Sequence, residues 1–109
     1  MKQTGHPYFY KLLREIEDLH NRKNADYRTV KDPLGNFKMC EQMGVSPFVG
    51  CCVRISDKYA RLSNLMSKGY AEVKEETVED TLKDLAVYSL IAICLLKEKN
   101  GKQVDKKGR

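Results

Sequence analysis

The sequence has few of the residues that build metal sites, and nothing in it resembles a secretion signal. It contains no tryptophan, two histidines and four cysteines, and no pair of cysteines has the C-x-x-C spacing of zinc ligands. We therefore expect no zinc site, and reduced thiols of the kind usual in the cytosol. The amino-terminal stretch MKQTGHPYFY lacks the apolar run of a signal peptide. These absences predict a cytoplasmic protein.

Long apolar runs are also scarce. The run LAVYSLIAICLL, residues 85–96, is too short to span a bilayer, so we expect no membrane partner. If this segment is helical, it is apolar nearly all round, and a single chain of 109 residues can hardly cover such a surface. The run therefore predicts a homo-oligomer, a dimer or larger, that forms through residues 85–96.

Net positive charge is small in the body of the chain and concentrated at its end. The formal net charge is +5, yet residues 97–109 alone hold six basic and two acidic residues. The body lacks the basic face of a nucleic-acid-binding protein, so we expect no nucleic-acid partner. We predict one helical domain over residues 1–100 and a flexible basic tail over residues 101–109.

Hydrophobic periodicity and punctuation predict an all-α fold, because no alternating strand pattern of useful length is present. Three long helices are expected, over residues 7–22, 47–67 and 75–99, with a short helix over residues 36–43. Ser46 and Pro47 form a cap and first-turn pair, and Gly44 and Gly69 follow predicted helix ends. The prediction is a bundle of three to four main helices, completed by oligomerisation.

A charged stripe runs along the second long helix in the segment RISDKYARL, residues 54–62. Its members share one helical face: Arg54, Asp57, Lys58 and Arg61. Such a stripe is either a solvated face with weak ion pairs or one wall of a polar site. Asp84 favours the second interpretation, because it is an acid beside the apolar half of the third helix. We expect Asp84 to have a metal or a basic partner from the second helix.

Taken in order, the segments KNADY, NF, RISDKYARL and EETVEDTLKDLAVY resemble the nucleotide modification associated domain of type 1. Such domains are common in phages and are similar to the MazG-like all-α nucleoside triphosphate pyrophosphohydrolases. The resemblance spans roughly residues 8–97. It implies a MazG-like helical bundle, self-association, and a nucleotide site where the second and third long helices meet. For a phage-encoded protein, the compartment would be the host cytoplasm.

The candidate ligand-binding residues come from three segments and suit an anionic nucleotide. Arginines would clamp phosphate, lysines would add point charge, tyrosines would stack on a base, and acids would accept hydrogen bonds from a ribose or an exocyclic amine. The set is Lys23, Asp26, Tyr27, Arg54, Asp57, Lys58, Arg61, Asp80, Asp84 and Tyr88.

Three hypotheses stay open from the sequence. The first is a nucleotide-binding protein that sequesters a nucleotide immune signal, as an anti-defence sponge of a phage would. The second, implied by the resemblance, is a Mg²⁺-dependent pyrophosphohydrolase with Glu76, Asp80 and Asp84 as metal ligands. The magnesium cage of such hydrolases is incomplete here, because the second helix offers only Asp57, although Mg²⁺ needs few protein carboxylates. The third is a helical adaptor whose charged stripe is solvated.

Overall fold

The computed structural model describes residues 1–26, 34–69 and 75–99, and side chains over 1–22, 34–69 and 77–98. The elements are helix α1 (Pro7–Asp26), the single-turn helix α2 (Gly35–Lys38), the 3₁₀ helix η1 (Met39–Met43), helix α3 (Pro47–Ser67) and helix α4 (Glu75–Lys99). No strand occurs in these described ranges, so the all-α prediction is confirmed. Only the end of α1 differs clearly from the predicted bounds, because the helix runs on to Asp26. The predicted tail lies outside the described residues.

Local sequence signals account for the ends of the helices. The Ser46 hydroxyl accepts a hydrogen bond of 3.1 Å from the backbone N–H of Val49, which satisfies a donor in the first turn of α3. Gly44 follows η1 with φ of 78°, and Gly69 lies just beyond α3 with φ of 79°. These left-handed conformations favour glycine, because other side chains are strained there.

The chain divides into two compact units, Met1–Pro33 and Leu34–Arg109. The first contains α1, and its start is held by the Tyr10 hydroxyl, which accepts a 2.8 Å hydrogen bond from the Gly5 N–H. The Phe9 and Tyr10 rings meet edge to face with centroids 5.8 Å apart. The prediction of one domain over residues 1–100 stays a prediction.

In the second unit, α3 and α4 pack side by side and antiparallel. Cys51 contacts Tyr88, and further along α3 Arg61 contacts Thr81. Residue numbers along α3 therefore rise as those of their partners on α4 fall, which defines an antiparallel pair. The less exposed residues of α3 recur every three or four positions, as in a coiled-coil seam. They include Cys51, Ile55, Lys58, Leu62 and Leu65.

The core of this unit is small and lies towards one end of the helix pair. It consists of Leu34, Cys51, Ala92 and Leu95, against which are packed Phe37, Phe48, Ile55, Tyr88 and Ile91. A Cβ atom on Gly50 would lie 2.7 Å from the Cys40 Sγ atom, so glycine is what lets η1 approach α3 this closely. No helix within the described residues is both long enough and apolar enough to cross a membrane.

Helical periodicity places Ile55, Tyr59, Leu62 and Met66 on one apolar stripe of α3, and the α3–α4 seam differs from that stripe. Tyr59 and Met66 belong to that stripe, yet both side chains are exposed, while Lys58 of the charged stripe lies in the seam. On α4, Leu82, Ile93 and Leu96 are similarly exposed. Because α4 is apolar on most sides, hydrophobicity does not decide which side of it faces α3. The contacts of Thr81 with Arg61 and of Asp84 with Lys58 decide it instead.

Leu95→Ala should lower the free energy of unfolding by about 2–4 kcal/mol, because it leaves a cavity in the small core. The Leu95 side chain is 3% exposed, whereas Val53, on the opposite side of α3 from the seam, is 53% exposed. The control Val53→Ala should therefore change the free energy by less than about 0.5 kcal/mol. Urea unfolding followed by far-ultraviolet circular dichroism measures both; equal effects would contradict the assigned core.

Cys51 should react with iodoacetamide at least about tenfold more slowly than exposed Cys94 at mildly alkaline pH. Burial raises the pKa of the Cys51 thiol, neighbouring Cys52 adds to the rise, and Arg54 opposes it. A raised pKa leaves less of the reactive thiolate. Peptide mass spectrometry after timed alkylation measures the two rates, and unfolding in urea should bring them together. Equal rates in the folded chain would contradict the burial of Cys51.

Candidate functional site

An ion pair joins α3 to α4 in the middle of their seam. The Lys58 Nζ atom lies 2.9 Å from the Asp84 Oδ2 atom, and each side chain is 31% exposed. The structure thus confirms the prediction that Asp84 takes a basic partner from the second long helix. Because each charge neutralises the other, neither is a free charge for a ligand.

Arg61, one turn further along α3, is held by a hydroxyl rather than by a carboxylate. Its Nε–H donates a 3.3 Å hydrogen bond to the Thr81 Oγ1 atom. Thr81 is almost fully buried, and its hydroxyl in turn donates to the Thr77 carbonyl at 2.9 Å. The guanidinium is therefore anchored at one edge, and its terminal nitrogens have no acceptor among the described residues.

Arg54, one turn before Lys58, is held by an aromatic ring. Its guanidinium carbon lies 5.5 Å from the centre of the Phe37 ring, within the range of a cation–π contact. The Phe37 ring meets Tyr88 edge to face, with centroids 6.1 Å apart. Tyr88 itself is half-buried in the core, and its proposed role in stacking on a base stays a prediction.

The members of the charged stripe therefore have different partners. Lys58 pairs with Asp84, while Arg54 and Arg61 stand on either side of that pair, seven residues and about 10 Å apart along the helix. Asp57 lies within one turn of both arginines, yet it forms an ion pair with neither. We call the surface formed by Arg54, Asp57, Lys58, Arg61 and Asp84 the polar face.

The candidate magnesium ligands are not brought together as far as the structure describes them. Asp80 is exposed and has no ion pair among the described residues, and Asp84 is taken by Lys58. The described residues contain no group of three or more histidine, cysteine or acidic side chains placed to hold a metal. The side chain of Glu76 lies outside them, so the three-acid magnesium set stays a prediction.

The KNADY part of the candidate site also lies outside the described side chains. Asp26 is the last residue of α1, while the side chains of Lys23 and Asp26, and all of Tyr27, are not described. Their place in a ligand site stays a prediction.

Two residues that hold the arginines of the polar face escaped residue-by-residue analysis of the sequence. Thr81 lies in the segment EETVEDTLKDLAVY. The feature that could have identified it is its position as a polar residue between apolar turns of α4. Phe37 was part of the NF segment, but nothing in its local sequence shows that it lies under Arg54. Both side chains hold an arginine by contacts that only the packing of α2 and α4 against α3 creates.

A cavity of about 520 Å³ opens near the start of α3. It is lined by Lys38, Glu41, Ser46, Pro47, Phe48, Leu95 and Glu98. Lys38 and Glu98 form an ion pair of 2.7 Å in its wall. None of the candidate ligand-binding residues lines this cavity, so it is separate from the polar face.

Comparisons with protein-family models, with curated proteins and with solved structures found no match to this chain. The family resemblance therefore stays a prediction, and the polar face has to be interpreted from its own contacts.

The Lys58–Asp84 pair should show a coupling energy of about 1 kcal/mol in a double-mutant cycle, because the pair is neither fully exposed nor buried. The cycle uses Lys58→Ala, Asp84→Ala and the double variant, with unfolding free energies from urea titration. As a control, Asp80→Ala removes a carboxylate that has no ion pair with any described residue and should stay within about 0.5 kcal/mol of the original. A coupling energy of zero would show that the pair does not stabilise the seam.

Proposed function

We propose that this protein binds a phosphate-containing nucleotide on the polar face of α3 and α4, with Arg54 and Arg61 as the phosphate contacts. One observation carries the proposal: each guanidinium is held by a group that leaves its charge intact. A ring holds Arg54, and the Thr81 hydroxyl holds Arg61. The motifs shared with the nucleotide modification associated domain of type 1 support the same function.

The contacts of the two arginines are unlike those of a solvated face. On such a face, long side chains are mobile or form ion pairs with acids one turn away. Here Asp57, the acid within one turn, forms no ion pair among the described residues. The two arginines are exposed, yet each guanidinium contacts a side chain from a neighbouring helix instead. Holding a guanidinium in place before the ligand arrives lowers the entropic cost of binding, and its paired N–H donors match phosphate oxygens.

The acids of the polar face have different roles in this proposal. Asp84 neutralises Lys58 and positions α4 against α3, so it acts on the ligand through the packing. Asp57 is exposed and has no ion pair within the described part of the chain, so it is the acceptor for a ribose hydroxyl or an exocyclic amine. Asp80, exposed one turn before Asp84, is a second candidate for that hydrogen bond.

Binding without hydrolysis is the mode that the contacts favour. A magnesium ion held by Asp84 would have to compete with the Lys58 ammonium, which lies 2.9 Å from its carboxylate. If Mg²⁺ replaced Lys58 as the partner of Asp84, the Lys58 charge would no longer be neutralised and the seam would lose its ion pair. We therefore propose sequestration of the nucleotide, in the manner of an anti-defence sponge, and we expect no need for a metal.

Arg54→Ala and Arg61→Ala should each weaken nucleotide binding by about tenfold to a hundredfold, because each loses charge-assisted hydrogen bonds worth about 1.5–3 kcal/mol. The ligand for the measurement comes from a calorimetric screen of nucleoside triphosphates, cyclic nucleotides and ADP-ribose, in chelator and in Mg²⁺. The matched control is Arg14→Ala, which removes an exposed arginine from α1 and should leave affinity unchanged.

Mass spectrometry of the purified protein provides a second measurement, because a tight ligand should co-purify with the original chain and be lost from Arg54→Ala. Failure of every nucleotide to bind, or wild-type affinity in both arginine variants, would contradict the proposal. Mg²⁺-dependent release of pyrophosphate would contradict sequestration and support the hydrolase.

A further inference from the structure

We propose that the ligand of the polar face carries a phosphate group on each side of one ribose, as linear and cyclic dinucleotides and nucleoside 3′,5′-bisphosphates do. The inference rests on the proposed function and names the class of nucleotide that it concerns. It separates this class from nucleoside di- and triphosphates, whose phosphates follow one another directly. Three features support it: the distance between the two arginines, the anchors that fix this distance, and the carboxylate between them.

The two arginines are too far apart to share one phosphate. Seven residues of α3 separate Arg54 from Arg61, which is about 10 Å along the helix and nearly two full turns, so both lie on the same side of α3. A charge-assisted hydrogen bond of about 2.8 Å places a guanidinium carbon about 4 Å from the phosphorus atom. One phosphate can therefore bridge two guanidiniums only if their side chains converge.

The anchors of the two arginines oppose such convergence. Arg61 is held by the Thr81 hydroxyl at 3.3 Å. Arg54 is held by the Phe37 ring, which packs edge to face on Tyr88. Thr81 and Tyr88 are themselves seven residues apart on α4, so the anchors are spaced along α4 as the arginines are along α3. Two phosphates, one at each arginine, leave both contacts in place.

The surface between the arginines carries negative charge. Asp57 lies three residues after Arg54 and four before Arg61, and it is exposed, with no ion pair among the described residues. Lys58 and Asp84, at the same height on the side of α4, neutralise each other. A phosphate chain that reached from one arginine to the other would pass beside the Asp57 carboxylate, where like charges repel.

A ribose is the group that fits between the two phosphates. The charges along α3 follow the order positive, negative, positive, at Arg54, Asp57 and Arg61. A ribose with a phosphate on each side has the complementary order, because its hydroxyl groups donate hydrogen bonds to a carboxylate while the phosphates contact the arginines. The charge pattern of the polar face thus matches separated phosphates better than adjacent ones.

A pair of nucleotides that differ in where the second phosphate is attached provides the main test. Adenosine 3′,5′-bisphosphate and ADP have the same base, the same sugar and two phosphates each. Isothermal titration calorimetry in chelator should give a dissociation constant at least about tenfold lower for the bisphosphate. The guanosine, cytidine and uridine pairs are titrated in parallel, because the contacts of the arginines involve no base. Linear pApA and cyclic di-AMP then distinguish an open from a closed source of the same chemistry.

Each arginine should account for one phosphate. In Arg54→Ala and in Arg61→Ala, the bisphosphate should bind within about threefold of the affinity of AMP for the original chain, because one phosphate contact is left. AMP itself should lose no more than about twofold in either variant, since its single phosphate can use the other arginine. An equal loss for AMP and for the bisphosphate would show that the arginines converge on one phosphate, and would overturn the inference.

Asp57→Asn tests the negative charge between the phosphates. The variant should reduce the preference for the bisphosphate over ADP from about tenfold to less than about threefold, chiefly through tighter binding of ADP. The asparagine side chain still accepts a hydrogen bond from the ribose, so the change reports on charge. The matched control is Asp18→Asn, the same change at an exposed acid of α1, which should leave the preference unaltered. An unaltered preference in Asp57→Asn would contradict the position of the sugar.

The titrations separate failure of this inference from failure of the proposed function. If ADP binds the original chain as tightly as the bisphosphate or more tightly, the inference is overturned and the proposed function stands. If the original chain binds none of these nucleotides, both are overturned. A preference for the bisphosphate that each arginine variant abolishes supports both.

Discussion

The ion pair between Lys58 and Asp84 is the contact on which the arrangement of α3 and α4 depends. It lies in the middle of a largely apolar seam, where a half-buried charge without a partner would be costly. Sliding one helix along the other, or rotating either one, would separate the two charges and leave both half-buried. A seam of leucines alone would tolerate several registers, whereas one polar pair selects a single register.

The contacts of the two arginines follow from that register. With Lys58 opposite Asp84, the next turn of α3 carries Arg61 to the buried Thr81 hydroxyl. In the other direction, Arg54 reaches the Phe37 ring, which is itself packed against Tyr88. A charged row that could have been merely solvated becomes a neutral pair between two anchored guanidiniums. The same interaction thus organises the seam and the proposed ligand surface.

The choice of seam also explains the surplus apolar surface on α4. Once Thr81, Tyr88 and Leu95 face α3, the remaining leucines and isoleucines of a nearly all-apolar helix cannot also be buried by it. Only four apolar side chains of the described residues are buried, which is a small core for this length of helix. An apolar helix that is covered on one side therefore keeps apolar surface on its other sides.

The sequence by itself determined the helices and several of their ends. Ser46, Pro47, Gly44 and Gly69 act through the backbone within a few residues, so their effects can be predicted without knowing the fold. It also indicated that Asp84 needs a metal or a basic partner, because the cost of burying a charge is general.

Only the tertiary structure decided which of three basic residues that partner would be, and which side of α4 would face α3. Periodicity could not decide it, since a helix that is apolar nearly all round has no single preferred face. The anchors of Arg54 and Arg61 were equally beyond local reasoning. Phe37 and Thr81 are 17 and 20 residues away from the arginines they hold, and contacts at that separation exist only after the helices have packed.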